Sequence, residues 1–303
     1  MNVKRIVIIR NPKGGSASNS KVVELQDRFK ERGVEVEMMA TSPEVDSAAK
    51  IARQVAADDN VDLVIAVGGD GTACGVASGL RGTGKPMAVF PGGTGNLFAR
   101  NFYSLPTTEQ FVEMVMNGRP QAIDMIRADY TTTEGKPHEQ LFMVGFGVGE
   151  VSDAISTASP LFKRIFGQLF YALRVFIACL FTNYKRYQVA AGGSLRNEDA
   201  AALFALNVTP PGMHTIARGC NASDHMMDVV VFRAKSIIGL VAASFWLALG
   251  KPERSRHYHR IRTERLAIST TVPMLPNIDG DPAPETTDIV LTVEPGAVQM
   301  ILS

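Results

Sequence analysis

Residues 61–100, VDLVIAVGGDGTACGVASGLRGTGKPMAVFPGGTGNLFAR, constrain this chain more than any other stretch. Two apolar runs, 63–67 and 87–90, each empty into a glycine-rich turn. The turns are GGDGT, from Gly68 to Thr72, and GGTGN, from Gly92 to Asn96, and each leads into a helix-compatible segment. Glycine tolerates positive φ and lets a ligand come close to the backbone. A helix start after such a turn offers unpaired N–H groups and a positive dipole end, which suits a phosphate. The chain between the turns is long enough for one helix crossover, which makes the two runs neighbouring parallel strands. Both turns then open at the carboxyl edge of one sheet, where open α/β sheets take ligands. The pattern reads as a polyphosphate cradle, most simply for ATP.

At 303 residues the chain can build two domains or one large one. Its 46% hydrophobic and 20% charged residues are ordinary for a globular protein, and a formal charge of +1 gives no global case for nucleic-acid binding. Cys74, Cys179 and Cys220 are odd in number and far apart, which suggests neither a disulfide framework nor a zinc site and fits a reducing cytoplasm. The first apolar run is about four residues, short of the roughly 7–15 of a signal peptide's apolar core. It reads as a strand.

That strand, 3–9, ends in NPKGGS (11–16). Residues 19–32 have helical spacing at Val22, Val23, Leu25 and Phe29, closed by Gly33. A second strand follows at 34–39, and Thr41-Ser-Pro-Glu44 matches a capping box that starts a helix to about Ala57. Alternation of β and α through residue 102 predicts a doubly wound α/β domain, with one more helix at 107–117. Beyond Pro120 the pattern becomes runs of strands: 121–130, 140–146, 187–191, 201–208, 228–232, 260–269, 288–293 and 297–302. These predict a β-sandwich-like second domain. The expected division is 1–125 and 126–303, with the last strand free to return to the first domain.

Two apolar segments interrupt the second domain, 161–181 (LFKRIFGQLFYALRVFIACLF) and 236–250 (SIIGLVAASFWLALG). The first carries Lys163, Arg164 and Arg174, and the second falls short of the ~20 apolar residues that span a bilayer, so a transmembrane reading is rejected. Either they cover the sandwich, or their apolar faces help dock on a membrane.

With NPKGG at the start, GGDGT, and then PGGTGNLFAR, the sequence resembles the diacylglycerol-kinase catalytic-domain superfamily, and within it the soluble bacterial lipid kinases. GGDGT is shared with NAD kinases, while PGGTGNLFAR matches the superfamily's P-x-GTGN-x-FAR. Further landmarks run in the same order: Ala122-Ile123-Asp124, Gly145-Phe146-Gly147, the 167–171 segment GQLFY, Asp224 to Asp228, and Asn277 to Pro282. The resemblance implies an NAD kinase/diacylglycerol kinase-like α/β domain that binds ATP and a β-rich domain that presents lipid. The chain departs from the family in three places. Asp281 stands where the family has glutamate, His225 where it has glycine, and Pro210-Pro211-Gly212-Met213 where it has a glycine-rich stretch.

The backbone of Val67, Gly68, Gly69, Gly71 and Thr72 and one hydroxyl are expected on the ATP phosphates, with Gly93, Thr94, Gly95 and Asn96 in the same role at the second turn. Asp70 either orients nucleotide and Mg²⁺ waters or caps its helix. Asn11, Pro12, Lys13, Gly14 and Gly15 would close the nucleotide site. Thr41 serves either nucleotide or helix cap. The resemblance makes Asp281 the general base for the lipid hydroxyl and Asp279 its orienting or metal-holding partner, against the alternative that Asn-Ile-Asp-Gly-Asp-Pro is a plain hairpin. It makes Asp224, with the carbonyls of Asn221 and Met226, a structural Mg²⁺ loop. Asp124 joins a metal-water network or ends a strand. His225 is expected to deny its turn the conformational freedom of glycine. The basic stretch 251–265 either attracts anionic headgroups or is a solvated edge. His257 and His259 are not read as a metal site.

Together these readings describe a cytoplasmic, peripherally membrane-associated lipid kinase that uses ATP and Mg²⁺ and binds no nucleic acid, with a homodimer left open. A kinase of a soluble acceptor such as NAD and a catalytically degenerate regulator remain the alternatives.

Overall fold

The computed structural model describes residues 3–12, 19–44, 46–93, 96–103, 107–149, 185–209, 214–233 and 237–302. Lys13, Gly14, Gly15, Thr94, Gly95 and the segments 161–181 and 210–213 lie outside them, as does Cys179. Two compact units emerge, residues 1–125 together with 295–303, and residues 126–294.

In the first unit β1 (Arg5–Arg10), α1 (Asn19–Glu31), β2 (Glu35–Ala40), α2 (Ser47–Ala56), β3 (Leu63–Gly68), α3 (Asp70–Leu80) and β4 (Pro86–Pro91) alternate, followed by α4 (Ala99–Phe102) and α5 (Thr108–Asn117). The strands are parallel in the order β2-β1-β3-β4. The inner strands β1, β3 and β4 are apolar on both faces and β3 is buried at every position, whereas the edge strand β2 carries Glu35 and Glu37 and has no buried residue. Ile6, Ile8, Leu63, Ile65, Leu25, Phe29 and Phe111 form one core. Helices α2 and α3 approach through small side chains: a Cβ on Gly79 would strike Ala49 and Ala52.

The capping box predicted at Thr41 does not form. Helix α2 starts six residues later, after Asp46 in a left-handed conformation (φ 62°), and Ser42 donates its N–H to Ser47 Oγ at 2.9 Å. The proline at position 43 restricts its predecessor away from helical backbone. A capping box does form at Thr107 and Gln110, opening α5.

The second unit is a two-sheet sandwich. Strands β5 (Pro120–Thr132) and β16 (Thr286–Ile301) belong to both units. One sheet holds β16, β13 (Arg265–Met274), β8 (Lys185–Ala191) and β9 (Ser194–Ala200), with β5 beside β16 and β6 (Pro137–Phe142) beside β5. The other runs β12 (Tyr258–Thr263), β11 (Met227–Phe232), β10 (Ala202–Leu206), β7 (Gly145–Val148), β14 (Asn277–Ile278), β15 (Asp281–Pro282). Alternation sorts the residues by face. Leu203, Ala205, Val229 and Val231 meet the core of the sandwich, while Phe204, Leu206, Val230 and Phe232 meet a second cluster that includes Leu247 of α6 (Ile237–Ala248).

Four predicted strands have different limits. The run 140–146 is broken at Met143, where the chain leaves one sheet for the other. The run 260–269 is likewise two strands in two sheets. The runs 288–293 and 297–302 are one strand, β16, which continues through Glu294-Pro295-Gly296 with Gly296 at φ 56°. Proline and glycine there mark an irregularity within a strand rather than its end. Strand β9 is not expected from its polar sequence SLRNEDA. It pairs with β8 across a two-residue Gly192-Gly193 turn with both φ positive, the geometry that favours hairpins.

Candidate functional site

The carboxyl ends of the four parallel strands of the first unit lead into the loops that the sequence motifs mark. Asn11 follows β1 and donates its N–H to the Val67 carbonyl at 3.2 Å, and Thr41 follows β2 and donates to the Arg10 carbonyl at 2.8 Å. Strand β1 lies between β2 and β3, so crossovers leave the β1/β3 pair in opposite directions. That is the switch point where open α/β sheets hold ligands.

The two glycine turns are in direct contact. Val67 pairs with Phe90, and Gly68 with Pro91, so the turns leave adjacent strands at the same level. Gly92 donates to the Gly68 carbonyl at 2.8 Å. A Cβ on Gly93 would overlap Gly69, and one on Gly69 would stand 3.3 Å from Gly93 Cα. These glycines are therefore required by close backbone approach. Helix α3 starts inside the first motif, at Asp70, and its first bond runs from Ala73 to Gly69 at 3.0 Å. The N–H groups of Asp70, Gly71 and Thr72 thus open the helix, as an anion-binding helix end requires. Gly71 is exposed, and a Cβ there would meet nothing within 4 Å.

Two side chains have roles that their motifs do not suggest. Asp70 accepts from the N–H groups of Leu97 and Phe98, each at 2.9 Å. It thereby braces the second turn against the first helix instead of capping its own. Thr72, expected to offer a hydroxyl to phosphate, is buried, with Oγ1 turned back over Gly68. Asn96 holds φ 46° and closes a ring with Gly93, accepting from its N–H at 2.8 Å and donating to its carbonyl at 2.7 Å. Asp124 sits within β5 rather than at a strand end. Its carboxylate is fully buried and accepts from Gly296 N–H at 2.8 Å.

In the second unit Asn277 to Pro282 is a β-hairpin with Asp279 and Gly280 at φ 52° and 97°. The Asp279 carboxylate accepts three backbone N–H groups, from Met143, Val144 and Gly145, all at 2.9 Å. It satisfies the amides exposed where β6 breaks into β7, a structural role alongside the expected one of orienting a base or holding metal. Asn207, absent from the sequence-derived candidates, holds the same bend from its carbonyl side, donating to Met143 O and Val144 O at 2.9 Å. Asp281 is exposed on β15.

The sequence profile of the diacylglycerol kinase catalytic domain matches residues 5–128. These residues belong to the diacylglycerol kinase catalytic-domain family. Over 285 residues the chain is 26% identical to a diacylglycerol kinase of Bacillus subtilis (strain 168), covering 92% of this chain and 90% of that one. A crystal structure from Bacillus anthracis str. Sterne, described provisionally as a diacylglycerol kinase, superposes with a TM-score of 0.79 at 20% identity, covering 100% of this chain and 98% of the other. Yeast NADH kinase complexed with NADH gives a TM-score of 0.58 at 12% identity, covering 100% and 84%. At these identities the two structures establish a shared fold.

In the loop from Asn221 to Asp228 the carboxylates pair with arginines of β12. Asp224 accepts from Met226 N–H at 3.1 Å and pairs with Arg262. Asp228, 2% exposed, pairs with Arg260 at 2.6 Å and lies 3.9 Å from Arg262 Nε. Asn221 Oδ1 is occupied by Ser223 N–H at 3.2 Å. The Asp224 carboxylate expected to hold Mg²⁺ is thus paired with Arg262 in this structure, and the neighbouring Asp228 with Arg260. Among the described residues no three acidic, histidine or cysteine side chains converge as a metal site. His225 holds φ 63°, so the turn keeps the left-handed backbone of glycine after all, in a residue type that adopts it at a cost. Burial and the neighbouring Asp228 push the Cys220 thiol up, and burial pushes Tyr258 up to about 12.

Proposed function

We propose that this chain is an ATP-dependent lipid kinase that transfers the γ-phosphate of ATP, taken as its Mg²⁺ complex, to a hydroxyl of diacylglycerol or a related lipid. The observation that carries the reading is the pair of abutting glycine turns at adjacent parallel strand ends, Gly68-Gly69 and Gly92-Gly93, inside a diacylglycerol kinase catalytic domain. Phosphoryl transfer needs positioning and charge neutralisation more than covalent help. The α3 N-terminus and the exposed Gly71 backbone suit phosphate approach, with Asn11, Thr41 and Asn96 beside it and Asp70 fixing the spacing of the turns. Asp281 is assigned the proton of the acceptor hydroxyl. No step is assigned to Asp124 or to the Asp224 loop.

The relative named as a diacylglycerol kinase over 92% of the chain favours a lipid acceptor, whereas the likeness to NADH kinase is one of fold. The deciding experiment incubates the protein with ATP, Mg²⁺ and a total lipid extract, with NAD as acceptor in a parallel arm, and identifies products by mass spectrometry. A new lipid phosphomonoester is expected. Phosphorylated dinucleotide without phosphorylated lipid would replace this reading with the soluble-acceptor one.

A further inference from the structure

Helix α6, IIGLVAASFWLA, has no charged residue, and its two sides have different surroundings. Ala243 is buried, and Leu247 packs against the cluster of Leu206, Ile216, Ala217 and Val230 on the sandwich. On the other side Ile238, Val241, Phe245 and Leu249 are 82%, 49%, 58% and 54% exposed. Their spacing of three and four residues aligns them as one stripe. Helices α1 and α2 show solvent the opposite chemistry, with lysines, arginines and glutamates outermost. A continuous large apolar face of this kind marks an interaction surface.

Charge at its carboxyl end identifies the partner. Gly250 (φ 67°) stops the helix, and the Arg218 guanidinium lies against it. Lys251, Arg254 and Arg256 follow, all exposed, with Glu253 the one carboxylate among them. Arg254 lies 5.5 Å over the ring of Trp246. Further along the basic stretch Arg260 pairs with Asp228 and Arg262 with Asp224, while Arg265 is exposed on β13. An exposed apolar stripe bordered by cations and a tryptophan matches the interface of an anionic bilayer. No helix among the described residues is long and apolar enough to cross a membrane.

We infer that α6 is the membrane-docking element of this protein, inserting Ile238, Val241, Phe245 and Leu249 among acyl chains while Lys251, Arg254 and Arg256 meet anionic headgroups. The inference deepens the lipid-kinase reading by naming the surface that meets the membrane. Its test uses no nucleotide, so the two fail separately.

Trp246 is the chain's single tryptophan and reports on this helix alone. The full chain is titrated with vesicles of phosphatidylglycerol and phosphatidylcholine, and with phosphatidylcholine alone, some carrying brominated acyl chains. The expected result is a blue shift of Trp246 emission and its quenching by bromine on anionic vesicles. Phe245→Asp should weaken sedimentation with those vesicles about tenfold or more, while Lys251→Gln with Arg256→Gln should weaken it about fivefold per charge. Val241→Ser, a milder change at an exposed site, guards against misfolding of the first variant. Vesicle binding with unaltered Trp246 emission, or with no loss in Phe245→Asp, would overturn the assignment. So would a dimer in solution that Phe245→Asp dissociates, or no binding at all. If binding holds and lipid phosphorylation fails, only the kinase reading falls.

Discussion

Asp279 and Gly145 hold one another twice: Gly145 donates its N–H to Asp279 Oδ1 at 2.9 Å, and Asp279 donates its own N–H to the Gly145 carbonyl at 2.8 Å. With Met143 and Val144 also on this carboxylate, the hairpin and the β6–β7 bend form one hydrogen-bonded unit. Replacing Asp279 by alanine leaves three N–H groups without their acceptor. Bonds to a charged group contribute about 1.5–3 kcal/mol, and shared partners do not add fully. A loss of about 3–4 kcal/mol is expected for Asp279→Ala, read from urea unfolding. A loss under about 1 kcal/mol would show that the amides find other partners.

Asp281, two residues on and exposed, should behave in the opposite way. Asp281→Asn is expected to change stability by less than about 0.5 kcal/mol, as exposed substitutions do, and to lower turnover of lipid at least about a hundredfold if it takes the hydroxyl proton. ATP affinity by calorimetry should stay within about twofold of the parent. Unchanged turnover would remove Asp281 from the chemistry.

Gly93→Ala tests the abutting turns. Its Cβ would overlap Gly69, and the nearest atoms are backbone that cannot rotate away. Overpacking of this kind costs about 1–3 kcal/mol. Nucleotide affinity should fall with it, because the spacing of the two turns changes. The contrasting control is Gly71→Ala, where the Cβ enters open space. It should fold as the parent does and yet bind ATP more weakly. Full affinity in both variants would place the phosphates elsewhere.

At His225 the left-handed backbone costs a side-chain-bearing residue roughly 1 kcal/mol, partly offset by the greater freedom glycine loses on folding. His225→Gly is expected to gain about 0.5 kcal/mol. Because Arg262 and Arg260 neutralise Asp224 and Asp228, EDTA should leave the thermal midpoint unchanged. A midpoint that falls with EDTA and returns with Mg²⁺ would contradict arginine as the neutralising group.

His259 supplies a pH signature. Burial and the nearby Arg233 and Arg196 lower its pKa from 6.5, with Glu198 opposing them. The folded state therefore binds this proton less readily than the unfolded chain. Its contribution to stability is fully present above about pH 6.5 and is lost as pH falls through the folded-state value. His259→Gln should flatten the pH dependence of the unfolding midpoint below about pH 6.5, and an unchanged profile would show that the ring titrates as it does in the unfolded chain.

Much of the first unit was legible in the chain itself. Continuous β-branched runs, glycine turns and helical spacing are local signals, and they located β1, β3, α1 and the paired turns because parallel strands covered on both faces must be apolar throughout. The Asp-Gly hairpin was equally local, whereas the polar strand β9 beyond the Gly-Gly turn was not foreseen. What the sequence could not determine was the partner of each polar side chain. Asp70 and Asp279 stand in motifs that suggest chemistry, but the three-dimensional fold brings backbone amides to their carboxylates from residues far along the chain, Leu97 in one case and Met143 in the other. The same holds for the arginines that occupy Asp224 and Asp228, and for the passage of β16 through Pro295-Gly296 beside Asp124. Periodicity records which way a side chain faces, whereas ion pairs and amide clamps depend on which distant segment the fold places opposite it.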